Sequence, residues 1–213
     1  MIPADKPQRR MCGLILAGGR ARRFGQDKRF AALGAAALID HAIARMKPQV
    51  DALILSSNDP VPGWDTLRHI SDKYADQGPL IGIAGGLQYA ADQGFNWLIT
   101  APADTPFYPQ DLAHRLLEGA GVDQQAAAMP QIGFAACGGQ VHPVFGAWPT
   151  ALAGALQNLI DGGERKIDRA AQALAKIYRV QWASDPKFGD PFFNINHQHE
   201  LAQAQQRYTA AHR

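Results

Sequence analysis

Two glycines, four nearby cations and one distant aspartate carry most of the chemistry in this 213-residue chain. Gly18 and Gly19 follow the apolar run Met11 to Ala17, and Arg20, Arg22, Arg23 and Lys28 come directly after them. Glycine lets the backbone turn sharply and bring its amides close to a ligand. Guanidinium and ammonium groups make short, charge-assisted bonds to phosphate oxygens. Leu16, Ala17, Gly18 and Gly19, with Lys28, therefore read as the cradle of a nucleoside triphosphate. The spacing matches neither a Walker loop nor a dinucleotide fingerprint. Asp104 stands just beyond a second apolar run, Trp97 to Ala101. Magnesium is usually held by one or two carboxylates together with substrate phosphates, so one aspartate here is enough to anchor it, with manganese as the substitute metal. The competing role for Asp104 is a helix cap or turn residue ahead of Pro106 and Pro109.

Both groups need a scaffold that brings strand ends together. Met11 to Ala17, Ala52 to Ser56 and Asn96 to Ala101 have the apolar character of buried strands. They alternate with helix-period segments at Leu38 to Met46 and Leu80 to Ala91. This alternation predicts an α/β fold of the Rossmann-like three-layer kind, with a mostly parallel sheet and ligand sites at the carboxyl ends of the strands. Further helices are expected over Pro109 to Leu117, Pro149 to Leu159 and Asn196 to Ala211. Strands are expected over Ala126 to Met129 and Val141 to Ala147, and a last inner strand over Ile177 to Trp182. One domain over residues 1–213 is expected, with residues 1–10 flexible.

The string LAGGRARRFGQDK, Leu16 to Lys28, resembles the L-A-G-G-x-x-x-R-M/F-G-x-D-K signature of nucleotidyltransferases, and among these it is most similar to the molybdenum cofactor guanylyltransferases. The resemblance implies the nucleotide-diphospho-sugar transferase type of fold and transfer of GMP from GTP to molybdopterin. It also implies a magnesium site at Asp104, within Asp104-Thr105-Pro106. Asp190-Pro191-Phe192-Phe193-Asn194-Ile195-Asn196 resembles the family's F-x-N-x-N segment, and that resemblance implies Asn196 as a second metal ligand, with Asn194 as its understudy. By its residue type alone, Asn196 also suits a helix N-cap. Asp72 and the following Gly78-Pro79-Leu80-Ile81-Gly82 resemble a stretch whose aspartate contacts the nucleoside, and a carboxylate is the natural acceptor for the donors on guanine N1 and N2. Where the family often has an asparagine after its second strand, this chain has Ser56-Ser57-Asn58, so either Ser56 substitutes or Asn58 reaches in. His142, in Val141-His142-Pro143, and Arg165 with Lys166, in Gly162-Gly163-Glu164-Arg165-Lys166, resemble segments on the acceptor side; structural roles are open for all three.

A net charge of +2 is too balanced for a nucleic-acid binder acting by phosphate neutralisation, so a small anionic ligand fits the local basic cluster better. Cys12 and Cys137 make neither a metal motif nor a disulfide framework, which favours a reducing compartment, expected to be the cytoplasm. No apolar run is long enough to act as a membrane span. The expected partners are GTP, molybdopterin and a molybdoenzyme chaperone or cofactor-biosynthesis protein.

A phosphate monoester acceptor has its second ionisation near about pH 6, so its attacking oxygen needs no protein base at neutral pH. The expected catalytic set is therefore electrostatic: Arg23 and the Gly18 and Gly19 amides on the β and γ phosphates, Lys28 at the α-phosphate, and Asp104 on the metal. Two alternatives remain at the level of sequence. One is cytidylyl or other nucleotidyl transfer to molybdopterin or to a sugar or polyol phosphate. The other is a noncatalytic nucleotide-binding scaffold.

Overall fold

The computed structural model describes residues 9–18, 27–71, 78–120 and 129–211. Its elements run β1 (Met11–Leu16), β2 (Ala32–Leu33), β3 (Ala36–Ala37), α1 (Leu38–Met46), β4 (Ala52–Ser56), β5 (Arg68–Ile70), α2 (Pro79–Asp92) and β6 (Trp97–Pro102), then α3 (Leu112–Gly119), β7 (Gln131–Cys137), β8 (Gln140–Pro149), α4 (Ala153–Asp161), α5 (Ile167–Leu174), β9 (Lys176–Trp182) and α6 (Gln198–Ala211). The longer strands and β5 form one seven-stranded sheet in the order β5-β4-β1-β6-β8-β7-β9, and only β8 runs against its neighbours.

Strand β1 is buried on both faces, as its unbroken apolar sequence requires. Cys12, Leu14 and Leu16 pack into a core shared with α2, α4 and α5, while Ile15 and the following Ala17 pack into the opposite core with α1 and α3. The result is an α/β/α sandwich with a mostly parallel sheet. A third, smaller cluster joins Leu33, Leu38 and Ile195 to Leu201 and Ala204 of α6. Among the described residues no helix is long and apolar enough to cross a membrane.

Register brings the site's strand ends level. Leu16 lies opposite Ser56 on one side and Pro102 on the other. The ladder continues one step further: Ala17 N–H donates to Ser56 O at 2.9 Å and Ala103 N–H to Leu16 O at 3.0 Å. Three parallel strands thus release their loops at a single edge, where open α/β sheets bind ligands.

Helix α2 lies very close to this edge. Gly78, at φ +93°, turns the chain in a conformation that L side chains rarely adopt, and Pro79 opens the helix. A β-carbon on Gly82 would sit 2.4 Å from Ser56 Oγ and 2.9 Å from Leu16 Cδ2. Gly82→Val is therefore expected to cost about 1–3 kcal/mol through overpacking. Calorimetry should show the thermal midpoint falling by roughly 2–4 °C per kcal/mol in a chain of this length. Gly154→Ala in α4, where an added β-carbon meets nothing within 4 Å, is the control and should not lower it.

Several elements differ from expectation. β9 is the edge strand of the sheet, not an inner one, and its half-exposed residues reflect this. The strand expected at Ala126 to Met129 begins on residues outside those described, whereas the fully buried strand is Gln131–Cys137. β8 runs on to Pro149, so α4 starts only at Ala153, after a 3₁₀ turn at Thr150–Leu152. The expected flexibility of residues 1–10 falls mostly on residues 1–8, outside the described set.

Candidate active site

Lys28, Asp104 and Asn196 meet at this edge from three separate parts of the chain. Lys28 begins a 3₁₀ turn, Lys28–Phe30, capped by Asp27, whose Oδ1 accepts from Arg29 N–H at 3.1 Å. Asp104 stands two residues beyond β6. Asn196 arrives on the segment that leaves β9 and crosses the sheet edge, docked by Ile195 N–H donating to the Asp104 carbonyl at 3.0 Å. Phe192 anchors that segment, with ring centroids 4.9 Å from Phe145, 5.1 Å from His142 and 5.3 Å from Trp182. Asp190 Oδ1 accepts from Phe192 N–H at 2.8 Å and fixes the turn into it.

The polar geometry is specific. Lys28 Nζ donates to Asn196 Oδ1 at 2.8 Å and is ion-paired with Asp104 Oδ2. The Lys28 and Asp104 side chains are 18% and 13% exposed, so solvent screens this pair less than it would a surface pair. Asp104 Oδ1 is buried with no hydrogen-bond partner among the described residues. An unsatisfied buried acceptor costs roughly 1–3 kcal/mol, which a bound cation would relieve. One carboxylate and one neutral amide oxygen make a hard donor set suited to a divalent cation that keeps water and phosphate ligands. Among the described residues no group of three His, Cys, Asp or Glu gathers in a competing metal arrangement.

Glu200, in the first turn of α6, reaches back along the chain, and its Oε2 accepts from the backbone N–H groups of Asn196 and His197, the latter at 2.7 Å. The Asn196 amide is left facing Lys28. Leu16 and Ala17 are buried at the root of the loop and Gly18 is exposed. Ser56 is buried against α2, while Asn58 is exposed. Gly19, Arg20, Arg22, Arg23 and Asp72 lie outside the described residues.

The acceptor-side candidates fall into two groups. His142 Nε2 lies 2.9 Å from Asp190 Oδ2 but out of hydrogen-bond alignment, and its ring packs against Phe192 on the segment that carries Asn196. Arg165 Nη1 donates to the carbonyls of Ile160 and Glu164, both at 2.7 Å, closing the carboxyl end of α4, and Lys166 is exposed. Cys137, at the end of β7, is buried, and its thiol is pushed up first by burial and then by the neighbouring Asp190 carboxylate. Burial pushes the Cys12 thiol up to about 12. At pH 8 both thiols of the folded protein should therefore resist maleimide, and both should react once guanidinium unfolds it.

Residues 13–177 match the family described as the MobA-like NTP transferase domain. This chain belongs to that family. Among MobA-like relatives, the molybdenum cofactor guanylyltransferase of Nitrobacter hamburgensis is 38% identical over 201 residues, covering 91% of this chain and 92% of the relative. That of Cereibacter sphaeroides is 39% identical over 203 residues, covering 92% and 96%. The crystal structure of molybdopterin-guanine dinucleotide biosynthesis protein A from Archaeoglobus fulgidus shares the fold, with a TM-score of 0.72 at 21% identity over 94% of this chain and 100% of that one. The MobA-like match includes Lys28 and Asp104 but stops before Asn196. The third side chain of the cluster therefore comes from outside the matched region.

Proposed function

We propose that this chain transfers GMP from GTP to the terminal phosphate of molybdopterin, releasing pyrophosphate and forming molybdopterin guanine dinucleotide. The observation that carries the residue-level reading is the meeting of Lys28, Asp104 and Asn196 at the carboxyl ends of β1 and β6. The guanylyltransferase names of relatives with 38–39% identity supply the substrates.

The reaction brings one anion to another, so positioning and charge compensation are the main requirements. Gly18 and Gly19 amides with Arg23 hold the β and γ phosphates. Lys28 turns its ammonium from Asp104 and Asn196 toward the α-phosphate, where negative charge builds as pyrophosphate leaves. Asp72 accepts from the guanine donors, and either Ser56 or Asn58 takes the part of the family's asparagine. Asp104 and Asn196 hold magnesium, or manganese in its place, and the bound ion supplies Lewis-acid polarisation of the phosphoryl oxygens. The incoming phosphate is already ionised near neutral pH, so no side chain has to take its proton.

Incubating the protein with magnesium, molybdopterin and each nucleoside triphosphate in turn tests the reading by pyrophosphate release and mass spectrometry of the product. GTP-dependent formation of the guanine dinucleotide is expected. A cytosine dinucleotide would move the assignment to cytidylyl transfer, and GTP binding without turnover would make the chain a scaffold. Handover of the product to a molybdoenzyme chaperone in the cytoplasm belongs to the same proposal, with co-purification as its check.

A further inference from the structure

Arg29, one residue beyond Lys28, is 6% exposed, an uncommon position for a guanidinium. It is well partnered. Its Nη1 donates to the Ala17 carbonyl and, at 2.8 Å, to Ser57 Oγ. Its Nε donates to both Asp27 carboxylate oxygens at 2.9 Å, and Nη2 closes the pair on Asp27 Oδ2. Ser57 Oγ in turn donates to the Asp59 carbonyl at 2.6 Å, and Asp59 Oδ2 lies 3.9 Å from Nη2. One planar group thus ties together the residue before the glycines, the residue before Lys28 and the chain just past β4.

We propose that Arg29 is a positioning residue for nucleotidyl transfer, clamping both stems of the glycine loop to the end of β4 and so aiming Lys28 at its site. Three features support this and rest on the role assigned to Lys28 above. Lys28 and Arg29 are consecutive in one short turn, yet one faces the Asp104–Asn196 cluster and the other faces the loop stems, so a shift of the turn displaces both. The guanidinium fork satisfies its three sets of acceptors at fixed angles, which a lysine ammonium on a flexible stem cannot do. Burial alone would raise the Asp27 carboxyl, but the hydrogen bonds and charge of Arg29 outweigh it and hold the group below the usual carboxylate range, as a closed clamp requires.

The test is a double-mutant cycle. Arg29→Lys is expected to lower kcat by about 10- to 100-fold, because small misplacements of a reacting group are costly, and to change the KM for GTP much less. In a Lys28→Ala background, followed under single-turnover conditions over hours, the same change is expected to alter the rate by less than about twofold, since residues acting as a unit are not additive. An equal factor in both backgrounds, or an unchanged kcat in the single variant, would overturn the proposal. If calorimetry shows that Arg29→Lys does not fold, Asp27→Asn opens the same clamp from its other side and is judged by the same criteria. A parent protein that does not turn over GTP would overturn the functional reading itself; an active parent with an additive cycle would overturn only the role of Arg29.

Discussion

Asp104→Asn is expected to lower GMP transfer by roughly 10²- to 10³-fold, the usual loss when one preorganised charge contact to the transition state is removed. The change keeps the size and shape of the side chain but removes its charge and turns one acceptor oxygen into an N–H donor. Its cost follows from two atoms: Oδ2 pairs with Lys28, and Oδ1 is buried without a partner among the described residues. An asparagine presents a single carbonyl oxygen and an amide donor, so it weakens cation binding and places a donor where an acceptor is needed. The magnesium concentration giving half-maximal rate should therefore rise at least tenfold, while calorimetry should show that the variant still folds. A near-normal rate at low magnesium would remove Asp104 from the metal site.

Lys28→Ala is expected to reduce kcat by a similar factor, roughly 10²- to 10³-fold, with the opposite metal signature. In the structure the Lys28 ammonium contacts both oxygens assigned to the metal, donating to Asn196 Oδ1 at 2.8 Å and pairing with Asp104. Removing it takes away a competitor for those oxygens. Half-saturating magnesium should consequently stay within about threefold of the parent's or fall, although turnover is nearly lost. Titrating the rate against magnesium for both variants separates the two proposed roles, metal ligand for Asp104 and charge at the α-phosphate for Lys28. If the Lys28→Ala rate recovered simply on adding magnesium, Lys28 would be a metal-site accessory and not a phosphate contact.

The parts of this site that were legible in the sequence were those with local signals. Gly18 and Lys28 follow a buried strand, and Asp104 follows another; two parallel strands with level ends bring such residues to one edge. As a site residue Asn196 was legible only through resemblance, since its residue type alone suits a helix cap, and Lys28, its partner, lies 168 positions away. Arg29 was hidden among the cations of the loop. Its burial depends on Ala17 and Ser57, which are brought to it by the sheet register, and no local pattern shows that. β7 was missed because Ile132-Gly133-Phe134-Ala135-Ala136 has too little β-branched character to mark a strand, and its place comes from pairing with β8 and β9. β9 looked internal because Ile177, Tyr178 and Val180 are strand formers, but these residues suit an exposed border equally well.

Lys28 and Asn196 are joined by a hydrogen bond across 168 positions of the chain. At a synthesis rate of about 5–20 residues per second, on the order of 10–30 s separates their appearance on the ribosome. A nascent polypeptide can therefore display its nucleotide loop long before the last polar partner of that loop exists. The contact between the two can form only once nearly the whole chain has been made.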